Sequence, residues 1–325
     1  MGGQPANYEL PEQLENSDGA TRTVGFELEF SGITLADTVS AARDALDAKI
    51  TSQTAAEVQL KGAHGVFNIE IDWDFLKRTA DNQDLPEQPD AWLQQLSDAA
   101  ALLVPIEVVC PPIAMDRLDE LDPLVAALRE AGAVGTEESL IAAYGVHINP
   151  EIPALDVDTV DRYLKAFVLL QWWLVDAHEV DPARRISPYI DLYDQGYMKH
   201  VLSHEPGTIE NLIDDYLEHN PSRNRALDML PMFAEIDEER VRNSVDDPKI
   251  KPRPTFHYRL PNCRIDDSDW QLSNSWNTWC EIERLANDEQ ALYALRDDYL
   301  KAGRVLLGVD RQQWVQHIES WLNNR

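Results

Sequence analysis

The sequence predicts an α+β fold rather than a doubly wound parallel sheet. Three observations carry this reading. Several short runs alternate strictly between apolar and polar residues, helical stretches of varied length separate them, and no glycine-rich phosphate loop joins a strand to a helix. The chain of 325 residues, 44% of them apolar, is long enough for one large domain or two modest ones with a sizeable core.

The elements follow in order. Residues 1–21, with Gly2-Gly3 and Ser17-Asp18-Gly19 as breakers, read as a loosely ordered lead, and residues 22–325 as a single domain ending in helices. Val24–Phe30 is the first strand. Thr34–Asp47 repeats Leu35, Val39, Ala42 and Leu46 at helical spacing. Gly65–Trp73 alternates strictly and predicts a second strand, and the Asp-, Gln- and Pro-rich run Thr79–Pro89 a loop. Leu102–Val109 is apolar except for Glu107 and ends at Pro111-Pro112. Asp116–Ala131 reads as a helix stopped by Gly132. Ser139–Asn149 reads as a strand closed by Pro150 and Pro153. From Asp158 to about His178 the period is helical, with Val160, Tyr163, Leu164, Phe167 and Leu170 on one side. Thr208–His219 and Arg225–Phe233 are shorter helical stretches. Asp246–Pro254 is a charged, Pro-rich connection, and Thr255–Leu260 a last strand. Asn274–Ala286 turns Trp276, Trp279, Ile282 and Leu285 inward, and one longer helical stretch runs toward Trp321. No repeat or low-complexity block is present.

Composition excludes several functions. A formal charge of −30 leaves no basic stripe to displace counterions from a nucleic-acid backbone. Nucleotides stay allowed, because metal ions and a few arginines can meet their phosphates. The acidic, lysine-poor composition predicts a soluble surface suited to salty conditions. Cys110, Cys263 and Cys280 are too far apart in sequence for a disulfide scaffold or a zinc motif. Met1–Glu15 is polar and acidic, without a secretory pattern. The most apolar run, Phe167–Val175, is too short to span a bilayer. The expectation is a soluble, cytoplasmic protein.

Each predicted strand has an apolar face and a chemically loaded one. The loaded faces carry Glu27 and Glu29, then Asn68, Glu70 and Asp72, then Glu107, then His147 and Asn149, and finally His257 and Arg259. Taken singly, each has a plain structural reading. Glu27 and Glu29, like Glu70 and Asp72, fit a solvated strand face. His147 fits a hydrogen-bonded core histidine, Glu107 the partner of an arginine, and Arg259 that arginine. If the faces converge, the cluster repels itself strongly unless cations are bound, and with two cations it becomes a place to hold polyphosphate.

Four segments together resemble the amidoligases, relatives of glutamine synthetase and glutamate–cysteine ligase. Gly25-Phe26-Glu27-Leu28-Glu29-Phe30 is similar to that family's metal-binding E-x-E strand. Ile106-Glu107-Val108-Val109-Cys110-Pro111-Pro112 resembles its glutamate strand ending in a Ser-Pro-like turn. Tyr144-Gly145-Val146-His147-Ile148-Asn149 resembles G-x-H-x-H, and Phe256-His257-Tyr258-Arg259-Leu260 resembles E-x-R. Asn224-Arg225-Ala226-Leu227-Asp228 is a fainter echo of a helical segment there. Order and approximate spacing fit from residue 22 to about 290. Two positions depart from the pattern. Asn149 stands for the second histidine, and His257 for the glutamate, which shifts metal preference from Mg²⁺ toward Mn²⁺ or softer ions.

The resemblance implies a mostly antiparallel, curved sheet with an acidic concave face, backed by helices. It implies ATP-dependent joining of a small-molecule or peptide carboxylate to an amine through an acyl phosphate, with Mg²⁺ or Mn²⁺. Glu27, Glu29, Glu70, Asp72, Glu107, His147 and His257 are the implied metal ligands, with Glu107 and Arg259 at the reacting centre. Arg184, Arg185, Lys199, Arg223 and Arg225 are further phosphate or carboxylate contacts, though a surface ion pair is the commoner reading of any one of them. No nucleic-acid or membrane partner is expected, and assembly into a homo-oligomer is compatible with the sequence. Two other readings remain: a binding homologue that has lost the chemistry, and a metal-dependent hydrolase.

Overall fold

A computed structural model describes residues 7–72, 104–136, 144–186, 189–305 and 308–325. Trp73, the expected 79–89 loop, Leu102, Leu103 and residues 139–143 lie outside the described residues. The fold is mixed α+β, with a mostly antiparallel sheet of nine strands that does not close and helices behind it. The chain divides into two compact units.

The first unit comprises residues 1–8, 23–148 and 261–275. Its strands are β1 (Thr23–Phe30), β2 (Lys49–Gln53), β3 (Glu57–Gly62), β4 (Gly65–Ile71), β5 (Ile106–Val109) and β6 (Ile113–Ala114), with the start of β7 (Val146–Pro150). They lie in the order β2-β3-β4-β5-β1-β7, and β6 also pairs with β1. Alternation sends Phe26, Leu28, Phe30, Val58, Leu60, Phe67, Ile69, Ile106 and Val108 to the buried face. Helix α1 (Leu35–Ala45) packs against β4 and against α2 (Asp122–Ala131). Thr34 caps α1 by accepting from the Asp37 amide. The expected helix over 116–131 is divided. A 3₁₀ turn occupies Leu118–Leu121, and the α-helix starts at Asp122 because Pro123 suits only a first turn. Gly132 ends it with φ 96°. The hairpin β2–β3 has no counterpart in the expected elements. Strand β2 is exposed at every position, so it has no apolar period to read, and its register slips between Ile50 and Ser52.

The second unit comprises residues 9–22, 149–260 and 276–325. Its spine is α3 (Val157–Ala177), buried over most of its length and capped by Asp156. After it come α4 (Pro182–Arg185), α5 (Gln195–Ser203), α6 (Ile209–His219), α7 (Leu230–Ile236) and α8 (Glu238–Ser244), of which α5 and α6 pack on α3. Most of α9 (Leu272–Asn287), with α10 (Glu289–Val305) and α11 (Arg311–Asn323), completes the unit, and α10 and α11 pack on α3. The single longer stretch expected after α9 is thus two helices, with Gly308 at φ 141° before the second. Strands β8 (Leu227–Asp228) and β9 (His257–Tyr258) pair antiparallel, and Pro150 at the end of β7 accepts from the Phe256 amide. The helix expected over 225–233 is corrected: it opens as β8 and becomes helical only at Leu230, with Pro231 in the first turn. The strand expected over 255–260 is regular only at His257–Tyr258.

The stretch read as a loose lead carries specific contacts. In the first unit Tyr8 Oη donates to Asp122 at 2.8 Å. In the second, Trp276 Nε1 donates to the Glu9 carbonyl at 2.7 Å, and Arg22 is fully buried against Glu283. Among the described residues no helix is long and apolar enough to cross a membrane.

Candidate active site

Strand register builds the acidic face of the first unit. Glu29 on β1 stands opposite Glu107 on β5, Glu107 opposite Glu70 on β4, and Glu70 opposite Glu57 on β3. Directly opposed residues in an antiparallel pair have Cβ atoms about 4.5–5.5 Å apart, and like charges so placed are destabilising. Four carboxylates thus form one row across four strands. Desolvation on the sheet raises the Glu107 carboxyl well above the usual range, and Glu27, Glu29, Glu70 and Asp72 raise it further.

Strand β7 brings an imidazole to this row. His147 Nδ1 lies 2.8 Å from Glu27 Oε2, and Nε2 lies 3.6 Å from Glu29 Oε1. A carboxylate only accepts, so His147 donates from Nδ1 to Glu27, and Nε2 is the ring atom nearest Glu29. The Gly145 amide donates to the other Glu29 oxygen at 2.7 Å. One ligand atom each from Glu29, Glu107 and His147 lie within 4.8 Å of one another. Two carboxylate oxygens and one imidazole nitrogen fit a divalent cation of the Mg²⁺ or Mn²⁺ type. Ligands at about 2.1 Å place donors at most about 4.2 Å apart, so small side-chain movements close the set. Glu27, on the other ring nitrogen, stands where carboxylates commonly stand behind metal-bound histidines.

The second unit holds the other expected residues. Asp228 on β8 pairs with His257 on β9. Arg259 is 6% exposed, and its Nη2 lies 3.4 Å from both Asp228 Oδ2 and His257 Nδ1. Arg253 Nη2 reaches Asn149 Oδ1 at 3.1 Å and His257 Nδ1 at 3.4 Å. Burial raises the Asp228 carboxyl, while Arg259, the Leu230 amide, Arg223 and Arg253 act in the opposite direction. Arg184 is buried and donates to the carbonyls of Leu260 and Arg259 at 2.7 and 2.6 Å, which steadies the segment carrying Arg259. Arg185 Nε donates to the Val180 carbonyl at 2.6 Å, and Arg225 Nη1 reaches the Leu192 carbonyl at 3.5 Å. Arg223 lies 3.9 Å from Asp247, and Lys199 is exposed on α5.

Sequence reasoning passed over Arg253 and gave Asp228 no chemical role. The available signal was Lys249, Lys251 and Arg253, a basic run just before β9 in a strongly acidic chain.

A family model described as "putative amidoligase enzyme" matches residues 20–281, which contain all nine strands and every side chain of both clusters. No curated protein matches the sequence. On the strength of a match spanning most of its length, the chain belongs to the amidoligase family, whose description denotes amide-forming ligase activity in general terms.

Proposed function

We propose that the chain is an ATP-dependent carboxylate–amine ligase working through an acyl phosphate, with a divalent cation held by Glu29, Glu107 and His147. The observation that carries this is the row of directly opposed glutamates with His147 Nε2 3.6 Å from one of them. Such a row is costly by itself and suits a cation that neutralises phosphate oxygens. When bound, Mg²⁺ or Mn²⁺ supplies the charge neutralisation that lets two anionic substrates approach.

In the proposed sequence a carboxylate oxygen of the substrate attacks the γ-phosphorus of ATP, and the bond to the ADP oxygen breaks. The amine nitrogen then attacks the acyl carbon, inorganic phosphate leaves, and the nitrogen gives up a proton. The chain's own residues align these events. Glu27 keeps the proton on His147 Nδ1, and the Gly145 amide holds Glu29 in place.

The test is ADP release by the purified chain with Mn²⁺ or Mg²⁺, ATP and panels of carboxylates and amines. The expected result is release that needs both organic substrates and drops at least about a hundredfold in Glu29→Gln. Product formation without ATP would replace this reading with a hydrolase. Nucleotide-induced stabilisation with no ADP under any panel would replace it with a binding homologue.

A further inference from the structure

We propose that the facing ends of α5 and α6 form a further divalent-metal site, made of His200, His204, Asp215 and His219, for an imidazole-preferring ion such as Zn²⁺, Ni²⁺ or Co²⁺. All four residues lie in the second unit, and none is used by the proposed reaction.

Spacing carries the first part. His200 and His204 are four residues apart at the end of α5, with His204 as its C-cap, and Asp215 and His219 are four apart in the last turns of α6. That interval sets each pair side by side along its helix. The pairs meet through their rings: the centre of the His200 ring lies 4.4 Å from that of His204 and 5.1 Å from that of His219. Two imidazoles that share one ion, each bound through a nitrogen at about 2.0–2.1 Å, have ring centres about 4.5–5.3 Å apart. Three of the chain's eight histidines are therefore already at the separation of fellow ligands.

Hydrogen bonding carries the second part. His204 Nδ1 lies 2.9 Å from the His200 carbonyl, and His219 Nδ1 lies 2.8 Å from the Asp215 carbonyl. A carbonyl only accepts, so both rings donate from Nδ1, and in the neutral form Nε2 carries the lone pair. An Nδ1–H held by a backbone carbonyl is a common support of a metal-ligating histidine.

The third part is an unsatisfied pair. His200 Nε2 is buried and lies 3.2 Å from Asp215 Oδ2, yet the two are off the line of a hydrogen bond. Two ligands of one tetrahedral ion stand about 3.3 Å apart, so an ion bound to both atoms fits their separation. Among the described residues Asp215 pairs with no lysine or arginine. Its neighbours are otherwise engaged: Asp214 takes Arg240, and Glu205 takes Lys165 and Arg296. Three imidazoles to one carboxylate favour Zn²⁺, Ni²⁺ or Co²⁺ over Mg²⁺ and Mn²⁺.

Closing the set takes a splaying of the rings. As they stand, no three ligand atoms of the group lie within 4.8 Å of one another, and the His200 plane is inclined only 26° and 29° to its neighbours. His204 is exposed and follows the last turn of α5, so little packing opposes its movement. Tyr197, packed on the His219 ring at 5.0 Å, steadies the other side.

The site does not depend on the ligase reading, and its test needs no turnover. The untagged full-length chain, with Mg²⁺ in large excess to occupy oxygen-rich sites, is titrated with Co²⁺ by calorimetry and visible absorption. One equivalent of Co²⁺ is expected to bind with the visible bands of nitrogen ligation, and Zn²⁺ to displace it. His200→Ala and His204→Ala are each expected to weaken binding at least about tenfold and to shift the bands, whereas Lys199→Ala on the same helix stays within about threefold. His204 is exposed, so its replacement leaves the fold intact. Absence of the bands, unchanged affinity in either histidine variant, or displacement of Co²⁺ by Mg²⁺ each overturns the proposal. Bands lost in His147→Ala but kept in His204→Ala would put the ion in the first unit and overturn it as well.

Discussion

Glu107 in the first unit, partly shielded from solvent, and Glu283 in the second, fully buried, are acids with opposite supplies of partners. Glu283 is fully buried and takes a two-pronged contact from Arg22, at 3.0 and 2.8 Å, a hydrogen bond from Tyr163 Oη, and one from Trp279 Nε1 at 3.0 Å. Arg22 spends its remaining donors on the carbonyls of Gln13 and Glu151. That network is closed. The charges that act on Glu107 most strongly are four more carboxylates. Burial therefore does not separate a structural acid from one that takes part in chemistry. What separates them is whether the protein itself provides the compensating charge.

The largest expected effect breaks the closed side. Arg22→Ala leaves Glu283 buried without its cation and is expected to lower unfolding free energy by about 3–5 kcal/mol. Urea denaturation measures this, and added Mn²⁺ is expected to restore none of it. A loss under about 1 kcal/mol would show that the network is not closed.

A second test adds a third way of keeping a buried titratable group: leaving it neutral. His178 Nε2 lies 2.7 Å from Tyr258 Oη, and burial, helped by Arg184, pushes its pKa down to about 3 from 6.5. The folded value lies below the unfolded one. Its contribution is thus complete above about pH 6.5 and lost as pH falls toward 3. The slope is at most about 1.4 kcal/mol per pH unit, and the partly exposed ring moderates it. Denaturation at pH 7, 6 and 5 should show His178→Gln with the flatter acid limb, and equal slopes would exclude His178 as the cause.

Smaller effects sharpen the open side. Glu27→Gln is expected to weaken Mn²⁺ binding about 10–100-fold by calorimetry, as loss of an orienting carboxylate does. An unchanged affinity would mean that Glu27 does not set the His147 ring. Glu107→Gln should raise the stability of the metal-free protein by up to about 1 kcal/mol while removing stabilisation by Mn²⁺. Destabilisation in EDTA would show that the row carries no repulsive cost.

The parts legible in the sequence were those written in local period. Strand β1 announced itself because Phe26, Leu28 and Phe30 alternate with Glu27 and Glu29, and the pleat has no other way to sort them. Helix α3 was equally plain. The row Glu29–Glu107–Glu70–Glu57 was only half legible, because alternation gives the face of each acid but register gives its neighbour. Glu57 went unnoticed because β3, the strand that carries it, is not among the expected elements. Arg22 and Glu283 are 261 positions apart, and Arg253 and Asn149 are 104 apart. Nothing local marks such partners. The segment 225–233 misled because its apolar spacing suits a helix, while the backbone becomes helical only at Leu230.

Strand β9 has two residues, fewer than a ladder normally needs to keep its carbonyls in line. Arg184 makes up the shortfall by donating to the two carbonyls that follow, as a neighbouring chain would. Side chain and strand length are therefore exchangeable currencies of order at this point. A relative that drops the arginine must extend the strand or recruit another donor there, and Arg184→Lys should let Arg259 wander while the net charge stays the same.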